Sequence, residues 1–194
     1  MLTPTQPFPD LKLPTLSGED VDVRQNMGEN GAIVVFYRGL HCPICKKQLQ
    51  EIEGQLDQAK DLGVTVLAVS GDTKSRAEDT VSETETTRLN IAHDLSMTEA
   101  REWGLYVSTA REGSEEPELF SEPGIFYLLP DGTVYAAWVQ SFPFARPPFE
   151  DVLAAVKFRN DKGYPPRGSY TGPLVEHDGT TKVEAVDGPK AEAY

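Results

Sequence analysis

The chain has 194 residues, of which 25% are charged and 39% hydrophobic, a composition typical of a globular protein large enough to bury one core. Its 31 acidic and 18 basic residues give a formal net charge of -13, which would repel nucleic-acid phosphates and anionic lipids. The composition therefore excludes collagen-like and wholly disordered chains, and it argues against nucleic-acid and membrane partners.

The N-terminal sequence and the number of cysteines indicate the cellular compartment in which the protein works. The first ten residues, MLTPTQPFPD, lack the basic and apolar stretches of an export signal, and no apolar run approaches the roughly 18 residues of a membrane span. The only two cysteines are spaced Cys-x-x-Cys, which leaves none to cross-link distant loops. We therefore expect a soluble cytoplasmic protein whose cysteine pair works in a reducing environment, with a redox protein exported by another route as the alternative.

The first predicted elements lead to this cysteine pair. Residues 1–30 are rich in turn formers, and the short segments LKLPTL and DVDV flank Ser17-Gly18, which predicts a hairpin. Residues 32–37 form a continuous apolar, β-branched run, typical of a strand that is covered on both faces in a largely parallel sheet. The cysteine pair follows this strand after a short step.

A helix is predicted directly after the pair. Apolar residues recur there at alternating spacings of four and three and form one stripe, which consists of Cys45, Leu49, Ile52, Leu56 and Ala59. The stripe ends near Gly63, where we expect the helix to end. The buried face of this helix therefore begins at Cys45.

The middle of the chain predicts a βαβ unit with further short elements. Residues 64–69 indicate a buried strand, residues 74–89 a polar helix, residues 90–94 a short strand and residues 98–103 a short helix. The acidic segment 111–122 lacks periodicity, and we interpret it as a solvated loop.

The last predicted elements are a hairpin and a closing helix. Residues 125–129 and 134–139 are apolar strands on either side of a Pro-Asp-Gly turn signal, and residues 149–158 form the helix. From residue 160 onward glycine, proline and charged residues dominate without a hydrophobic period. We therefore predict one domain over residues 1–159 and an irregular C-terminal tail over residues 160–194.

The position of the pair at a strand-to-helix turn predicts redox chemistry. Free backbone N–H groups and the positive end of the helix dipole favour a thiolate at Cys42, the first of the two cysteines. Pro43 suits the first helical position, where its missing N–H costs nothing. We therefore predict that Cys42 is the nucleophile and that Cys45, one turn later and facing the core, resolves the oxidised intermediate.

The residues around the pair resemble a known family. The segments FYRG (36–39), CPIC (42–45) and QL (48–49) are followed by VLAVSGD (66–72), WGLY (103–106), PGIFYLLPDG (123–132) and RPP (146–148). In this order they are similar to the peroxiredoxin-like branch of the AhpC/TSA (redoxin) family, within the thioredoxin-like superfamily. The match runs from residue 8 to residue 158.

The resemblance implies a fold and an activity. The fold would be α/β and thioredoxin-like, with a central mixed sheet, flanking helices and the C-terminal tail. The activity would be that of an antioxidant thiol oxidoreductase without cofactor or metal, which cycles between dithiol and Cys42–Cys45 disulfide and reduces a peroxide or a disulfide. A thioredoxin-, glutaredoxin- or glutathione-type reductant and a homodimer are further expectations.

The resemblance also nominates residues around the pair. Arg38 is predicted to be catalytic, stabilising a thiolate or binding a peroxide oxygen, and Arg146 carries the same hypothesis. The substrate-pocket candidates are Tyr37, His41, Pro43, Pro123 and Arg146. His41 stands where close relatives usually carry tryptophan. It would either tune Cys42 electrostatically or simply be exposed, and we expect it to be exposed. Because thioredoxin-like proteins place a cis-proline beside the disulfide, we expect a cis Glu122-Pro123 bond.

Three positions differ from the typical peroxiredoxin pattern and leave alternatives open. Peroxiredoxins usually carry Thr or Ser three residues before the peroxidatic cysteine, Pro seven residues before it and Arg just ahead of the hairpin strand. Here Gly39, Val35 and Pro123 stand there. One alternative is therefore a thioredoxin- or glutaredoxin-like disulfide oxidoreductase without peroxidase activity.

Two readings outside redox catalysis also remain. In the first, the chain is a non-catalytic metal-binding module in which the cysteines join His93 or His177 as ligands. In the second, it is a redox-inert scaffold whose C-terminal tail recruits a partner.

Overall fold

The computed structural model describes residues 2–172, and the structural statements below concern those residues. It contains nine strands, β1 to β9, at Lys12–Pro14, Asp20–Asp22, Gly31–Phe36, Val64–Val69, Asn90–Ala92, Val107–Thr109, Leu119–Ser121, Gly124–Leu128 and Val134–Val139. It contains five helices, α1 to α5, at Pro43–Gly54, Leu56–Asp61, Lys74–Thr84, Met97–Glu102 and Phe149–Lys162.

A five-stranded mixed sheet with the order β5-β4-β3-β8-β9 forms the centre of the molecule. β3, β4 and β5 are parallel, whereas β8 pairs antiparallel with both β3 and β9. The α/β architecture with a central mixed sheet and flanking helices is therefore confirmed.

Strand β3 is central because helices and loops cover it on both faces. All six of its residues are buried, as the continuous apolar run predicts. Ile33 and Val35 point to a cluster that includes residues of α1, α3 and α5, whereas Val34 and Phe36 point to a cluster that includes Trp103 and the β1–β2 hairpin. The loop after β3 carries Cys42 and Cys45 into the first of these two clusters.

Both predicted hairpins are present. β1 pairs antiparallel with β2 around Ser17-Gly18, and β8 pairs antiparallel with β9 around the Pro-Asp-Gly turn. In that turn the Asp131 carboxylate accepts a hydrogen bond from the Thr133 backbone N–H at 3.0 Å, and Gly132 adopts a φ of 87°. Glycine adopts this left-handed conformation without strain because it has no Cβ.

Three helix ends differ from the prediction. The long helix after the cysteines is broken at Gln55, where φ is -113°, although Ala59 on the second piece remains buried as the apolar stripe requires. Helix α3 ends at Thr84 because Glu85 adopts a left-handed conformation. Helix α5 continues to Lys162, so the predicted boundary after residue 159 falls inside it, and the division into domain and tail stays a prediction.

The interpretation of segment 111–122 as a loop is wrong at its end. Leu119–Ser121 forms β7, which pairs antiparallel with β6. Phe120 is buried, and the acidic Glu116 before it is paired with arginines, so this charged segment returns to the core. Within residues 2–172, no helix has both the length and the apolar character needed to cross a bilayer.

Candidate active site

The cysteine pair lies where the loop after β3 enters α1. Cys42 is the N-cap residue, with φ -105° and ψ 101°, and Pro43 occupies the first helical position, as predicted. The Cys42 sulfur accepts a hydrogen bond from the Cys45 backbone N–H at 3.3 Å. One of the free N–H groups at this helix start therefore points at the sulfur of the proposed nucleophile.

The two cysteines form a disulfide, with their Cα atoms 5.2 Å apart. Cys45 is fully buried in the core, as its place in the apolar stripe predicts, but Cys42 is also only 1% exposed. In this disulfide form neither sulfur is open to attack from solvent. Access to Cys42 therefore requires a rearrangement of the groups that cover it.

Arg146 is the charged residue that contacts both sulfurs. One of its terminal nitrogens lies 3.1 Å from the Cys45 sulfur and 3.7 Å from the Cys42 sulfur. The other donates a hydrogen bond to Gln48 Oε1 at 2.6 Å, and Nε donates one to the Pro143 carbonyl at 2.8 Å. Both of these acceptors fix the guanidinium over the pair.

Burial lowers the pKa of Arg146. Removal from water and, less strongly, the nearby Arg38 cation lower the pKa of its guanidinium to about 10, whereas Glu122 opposes both effects. Since this pKa remains well above neutrality, Arg146 is still protonated at pH 7. The site therefore keeps a partly desolvated cation against the two sulfurs.

Arg38, the predicted catalytic arginine, has different partners. It forms ion pairs with Glu116 at 3.1 Å and with Glu122 at 3.2 Å, and its guanidinium carbon lies 4.7 Å from the centre of the Phe120 ring. Among residues 2–172, its ion pairs and hydrogen bonds go to these carboxylates and not to sulfur. The structure therefore brings Arg146 to the cysteine pair. Arg38 instead holds the segment around β7, residues 116–122, which we call the wall of the site.

The carboxylates that hold Arg38 are themselves secured. Hydrogen bonds from the Arg111 backbone and side chain lower the pKa of Glu116 to about 2, against the opposing effect of burial. Glu122 accepts a hydrogen bond from the Ser108 hydroxyl at 2.7 Å. Both acids come from the segment around β7, so the acidic segment contributes the wall of the site.

Gly39, which replaces the usual hydroxyl residue, lies against a carboxylate. Its φ is 120°, and a Cβ built on it would lie 2.7 Å from Asp72 Oδ2 and 2.8 Å from Oδ1. The same carboxylate accepts hydrogen bonds from the Leu40 backbone N–H at 2.7 Å and from Arg76 Nε at 2.8 Å. Asp72 therefore fills the space next to position 39 and orders the turn before Cys42.

The prediction that His41 is exposed is wrong, because its ring packs against the β7 segment. The ring is partly buried, and its centroid lies 4.8 Å from that of Phe120 in an edge-on arrangement. Both ring nitrogens are buried without a hydrogen-bond partner in the described part of the chain. Burial and, less strongly, the Arg38 cation lower the pKa of His41 to about 4, so the imidazole is neutral at pH 7.

Tyr37, a predicted pocket residue, directly follows β3. It is fully buried in the core cluster that contains Cys42 and Cys45, and burial raises the pKa of its hydroxyl. Since Cys42 is buried to the same degree, the assignment of Tyr37 to a substrate pocket stays a prediction.

The two prolines behave differently from each other. Pro43 is exposed on the first turn of α1, whereas Pro123 is buried just before β8, where its carbonyl accepts a hydrogen bond from the Gln140 N–H at 3.0 Å. Every peptide bond within residues 2–172 is trans, so the expectation of a cis Glu122-Pro123 bond is wrong. The trans form is the intrinsically favoured one, and here it carries the chain directly from β7 into β8.

Sequence reasoning missed several residues of the site, namely Gln48, Asp72, Glu116, Phe120 and Glu122. Gln48 stood in the quoted QL segment, which was a usable signal, because a polar residue on the buried face of a helix needs a partner. Asp72 closed the quoted VLAVSGD segment, which was a second usable signal. Glu116, Phe120 and Glu122 lie far along the chain from the pair, and no local pattern connects them to it.

The metal-binding alternative finds no support in the described residues. Within residues 2–172, His, Cys, Asp and Glu side chains form no group of three or more that could hold a metal ion. His93 is buried and its Nδ1 lies 2.8 Å from an Asp94 carboxylate oxygen, and His177 lies outside the described residues.

Comparison with known proteins identifies a family and a curated relative. The model of the AhpC/TSA family matches residues 4–137, which include both cysteines and most of the central sheet. Alkyl hydroperoxide reductase C of Staphylococcus saprophyticus is 28% identical over 123 residues, which is 60% of this chain. The match spans only 59% of the length of that relative.

Solved structures share the fold. The reduced Prx3 of Vibrio vulnificus in complex with hydrogen peroxide superimposes with a TM-score of 0.67 at 20% identity, over 80% of this chain and 99% of that one. Peroxiredoxin 6 of Arenicola marina gives a TM-score of 0.72 at 15% identity, over 82% of this chain and 74% of that one. At such low identity the likeness shows the peroxiredoxin form of the thioredoxin fold.

Proposed function

The chain belongs to the AhpC/TSA family, and we propose that it is a thiol-dependent oxidoreductase that reduces peroxide by cycling between the Cys42, Cys45 dithiol and their disulfide. The observation that carries this proposal is the disulfide at the start of α1 with the Arg146 guanidinium 3.1 and 3.7 Å from its two sulfurs. A cation and helix N–H groups beside a cysteine pair favour the thiolate from which such a cycle begins.

In the first step the Cys42 thiolate attacks one oxygen of the peroxide. A sulfur–oxygen bond forms, the oxygen–oxygen bond breaks, and the departing oxygen leaves as an anion that takes a proton to give an alcohol or water. Cys42 becomes a sulfenic acid and the peroxide gains two electrons. Because the start of α1 directs the Cys45 N–H at the Cys42 sulfur, the thiolate from which this step begins is stabilised.

In the second step Cys45 attacks the oxidised Cys42. The sulfur–sulfur bond forms, the sulfur–oxygen bond breaks, and water leaves. The Cα atoms lie 5.2 Å apart within one helical turn, so ring closure needs little movement of the backbone. Two thiols of a reductant then return the pair to the dithiol and leave as a disulfide.

Roles for the surrounding residues follow from their contacts. We assign Arg146 to stabilise the anionic sulfur, with Gln48 holding its guanidinium in place. Arg38, paired with two carboxylates, is assigned to position the wall formed by the β7 segment. Pro43 directly follows Cys42 and Pro123 directly precedes β8, and we keep both as pocket candidates.

The partners and the compartment are proposed as well. A thioredoxin-, glutaredoxin- or glutathione-type thiol reductant would close the cycle, and the chain would act in the cytoplasm as a monomer or a homodimer. A reducing compartment suits a pair whose disulfide must be opened after each turnover.

A second candidate is disulfide exchange without peroxidase activity. Gly39 offers no hydroxyl to a peroxide, and its neighbour Asp72 is committed to the Leu40 N–H and Arg76. In that case a substrate disulfide would replace the peroxide: Cys42 would displace one sulfur as a thiolate, and Cys45 would displace the other.

One experiment separates the two candidates. Reduced wild type, Cys42→Ser and Cys45→Ser are mixed with one equivalent of hydrogen peroxide, and in parallel with 2-hydroxyethyl disulfide, and intact mass and free thiols are followed. Peroxidase activity predicts rapid loss of two thiols in wild type and a trapped sulfenic acid in Cys45→Ser. Oxidation by peroxide no faster than that of free cysteine would overturn the proposal, and fast oxidation by the small disulfide alone would establish the second candidate.

A further inference from the structure

The residue that precedes Cys42 has unpartnered polar atoms. Among residues 2–172, the buried side-chain atoms without a hydrogen-bond partner include both ring nitrogens of His41, Nδ1 and Nε2. This group also includes Arg38 Nε and Glu122 Oε2, which face each other as an ion pair at 3.2 Å, and Arg76 Nη2. Proteins satisfy nearly all of their buried polar atoms, so two unsatisfied nitrogens on the residue directly before the proposed nucleophile indicate a place where a polar ligand binds.

His41 is the residue of this group that directly precedes the proposed nucleophile. Its ring makes an edge-on contact with Phe120 at 4.8 Å, and the Arg38 guanidinium lies over the same Phe120 ring at 4.7 Å. The imidazole is therefore oriented by its neighbours, although neither of its nitrogens is used in a hydrogen bond to them.

The charged groups near the pair already have partners. Asp72 accepts hydrogen bonds from the Leu40 N–H and Arg76, Arg38 pairs with Glu116 and Glu122, and Arg146 contacts Gln48, the Pro143 carbonyl and the two sulfurs. Gly39 has no side chain to offer. Within residues 2–172, His41 therefore adjoins Cys42 with both ring nitrogens, one donor and one acceptor, lacking a hydrogen-bond partner.

We propose that the His41 imidazole binds a hydroperoxide beside Cys42 and donates its ring N–H to the oxygen that departs when the oxygen–oxygen bond breaks. This role rests on the peroxidase activity proposed above. As Cys42 sulfur bonds to the near oxygen, the far oxygen becomes an anion, accepts this hydrogen bond, and takes its proton from water. The imidazole keeps its own proton throughout, so it is unchanged after the step.

The electrostatics of His41 suit a neutral donor. Arg38 and Arg76 disfavour a charged ring, Asp72 and Glu116 favour one, and burial, the largest influence, leaves the pKa at about 4. A neutral imidazole carries one N–H donor and one acceptor nitrogen. A hydroperoxide likewise offers an oxygen that accepts and an O–H that donates, whereas a disulfide offers only sulfur, a weak acceptor.

The experiment compares two oxidants across two variants of the full chain. His41→Phe keeps an aromatic ring against Phe120 but removes both nitrogens, and His41→Gln keeps a donor and an acceptor. Each reduced protein is mixed with hydrogen peroxide or with 2-hydroxyethyl disulfide, and the rate of thiol loss is measured by quenching and intact mass. Thermal unfolding midpoints check that the variants fold alike.

We expect His41→Phe to react with peroxide about 10- to 100-fold more slowly, the loss that follows from removing one or two hydrogen bonds from the transition state, and His41→Gln to recover most of the rate. Reaction with the small disulfide should change by less than about twofold. Equal slowing with both oxidants, or a wild-type peroxide rate in His41→Phe, would overturn the role of His41 alone. A wild type no faster than free cysteine would overturn the peroxidase proposal and this role together.

Discussion

The guanidinium of Arg146 lies 3.1 Å from the Cys45 sulfur, although 101 residues separate the two in the chain. The contact joins the first turn of α1 to the loop that precedes α5. Burial of this cation is unfavourable, as its lowered pKa of about 10 indicates. When the disulfide is reduced, an anionic sulfur would offset that cost, so the arrangement favours the reduced and deprotonated pair.

Arg146→Met should therefore slow the reaction of the reduced pair with iodoacetamide at pH 7 by about tenfold, because less thiolate forms without the adjacent cation. The measurement is the rate of carbamidomethylation followed by intact mass. Arg146→Lys should retain part of the effect, since it keeps the charge but not the two-point hold of Gln48 and the Pro143 carbonyl. Arg101→Met, an exposed arginine on α4, serves as the control and should react like wild type.

Arg38→Met should act mainly on stability. It would leave the buried Glu116 and Glu122 carboxylates without their shared cation, which costs about 3 kcal/mol when a buried ion pair loses one partner. Urea unfolding of the reduced protein measures this loss. The double variant Arg38→Met, Glu122→Gln should recover part of it, because one of the stranded charges is then removed. A stable Arg38→Met with a strongly slowed thiol reaction would instead return Arg38 to the role first predicted for it.

Local patterns were enough to predict most of the fold. Strands β4 and β9 match their predicted bounds, and β3 and β8 are offset by one residue, because continuous apolar runs next to turn signals constrain a strand closely. The apolar stripe after the pair correctly gave the buried face that begins at Cys45, although not the break at Gln55. Such a break depends on the backbone conformation of a single residue. Because the same face stays buried on both sides of the break, the spacing of apolar residues does not reveal it.

The wall of the site was not predictable in the same way. Segment 111–122 has the charge of a solvated loop, and charges usually stay solvated unless they are paired. Its Glu116 is buried because Arg38, 78 residues earlier, and Arg111 pair with it. The contact of Arg146 with the sulfurs depends in the same way on tertiary structure, and only the family resemblance had brought that arginine into consideration.

Acidification should destabilise the protein in two separate pH ranges. The pKa of His41 is lowered to about 4 from 6.5, so the unfolded chain binds more protons between these values, and stability falls as the pH is lowered through that range. The pKa of Glu116 is lowered to about 2 from 4.5, so its contribution is lost at lower pH, between 4.5 and 2. Because His41 is partly exposed, solvent screening makes the unfolding free energy depend less steeply on pH in its range than it would for a fully buried group.

Urea unfolding at a series of pH values tests this assignment. His41→Phe should flatten the stability curve between pH 6.5 and 4 relative to wild type, and Glu116→Gln should flatten it below pH 4.5. If either variant followed the wild-type curve in its own range, the corresponding group would not be the one responsible.

Gly39→Thr would restore the hydroxyl that peroxiredoxins usually carry at this position, yet it should impair the protein. The residue has a φ of 120°, a conformation that side chains other than glycine adopt only with strain, and its new Cβ would lie 2.7 Å from Asp72 Oδ2. Relief of that contact would pull the carboxylate away from the Leu40 N–H. We expect a loss of about 3 kcal/mol in unfolding free energy and a slower reaction with peroxide.

Gly54→Ala provides the matched control for this variant. Gly54 is the last residue of α1, its Cβ would meet no atom within 4 Å, and the substitution should stabilise the protein by about 0.5 to 1 kcal/mol. Gly39→Ala should lose nearly as much stability as Gly39→Thr, because strain and the clash begin at the Cβ. A Gly39→Thr protein with wild-type stability and a faster peroxide reaction would show that Asp72 yields, and that the missing hydroxyl limits this site.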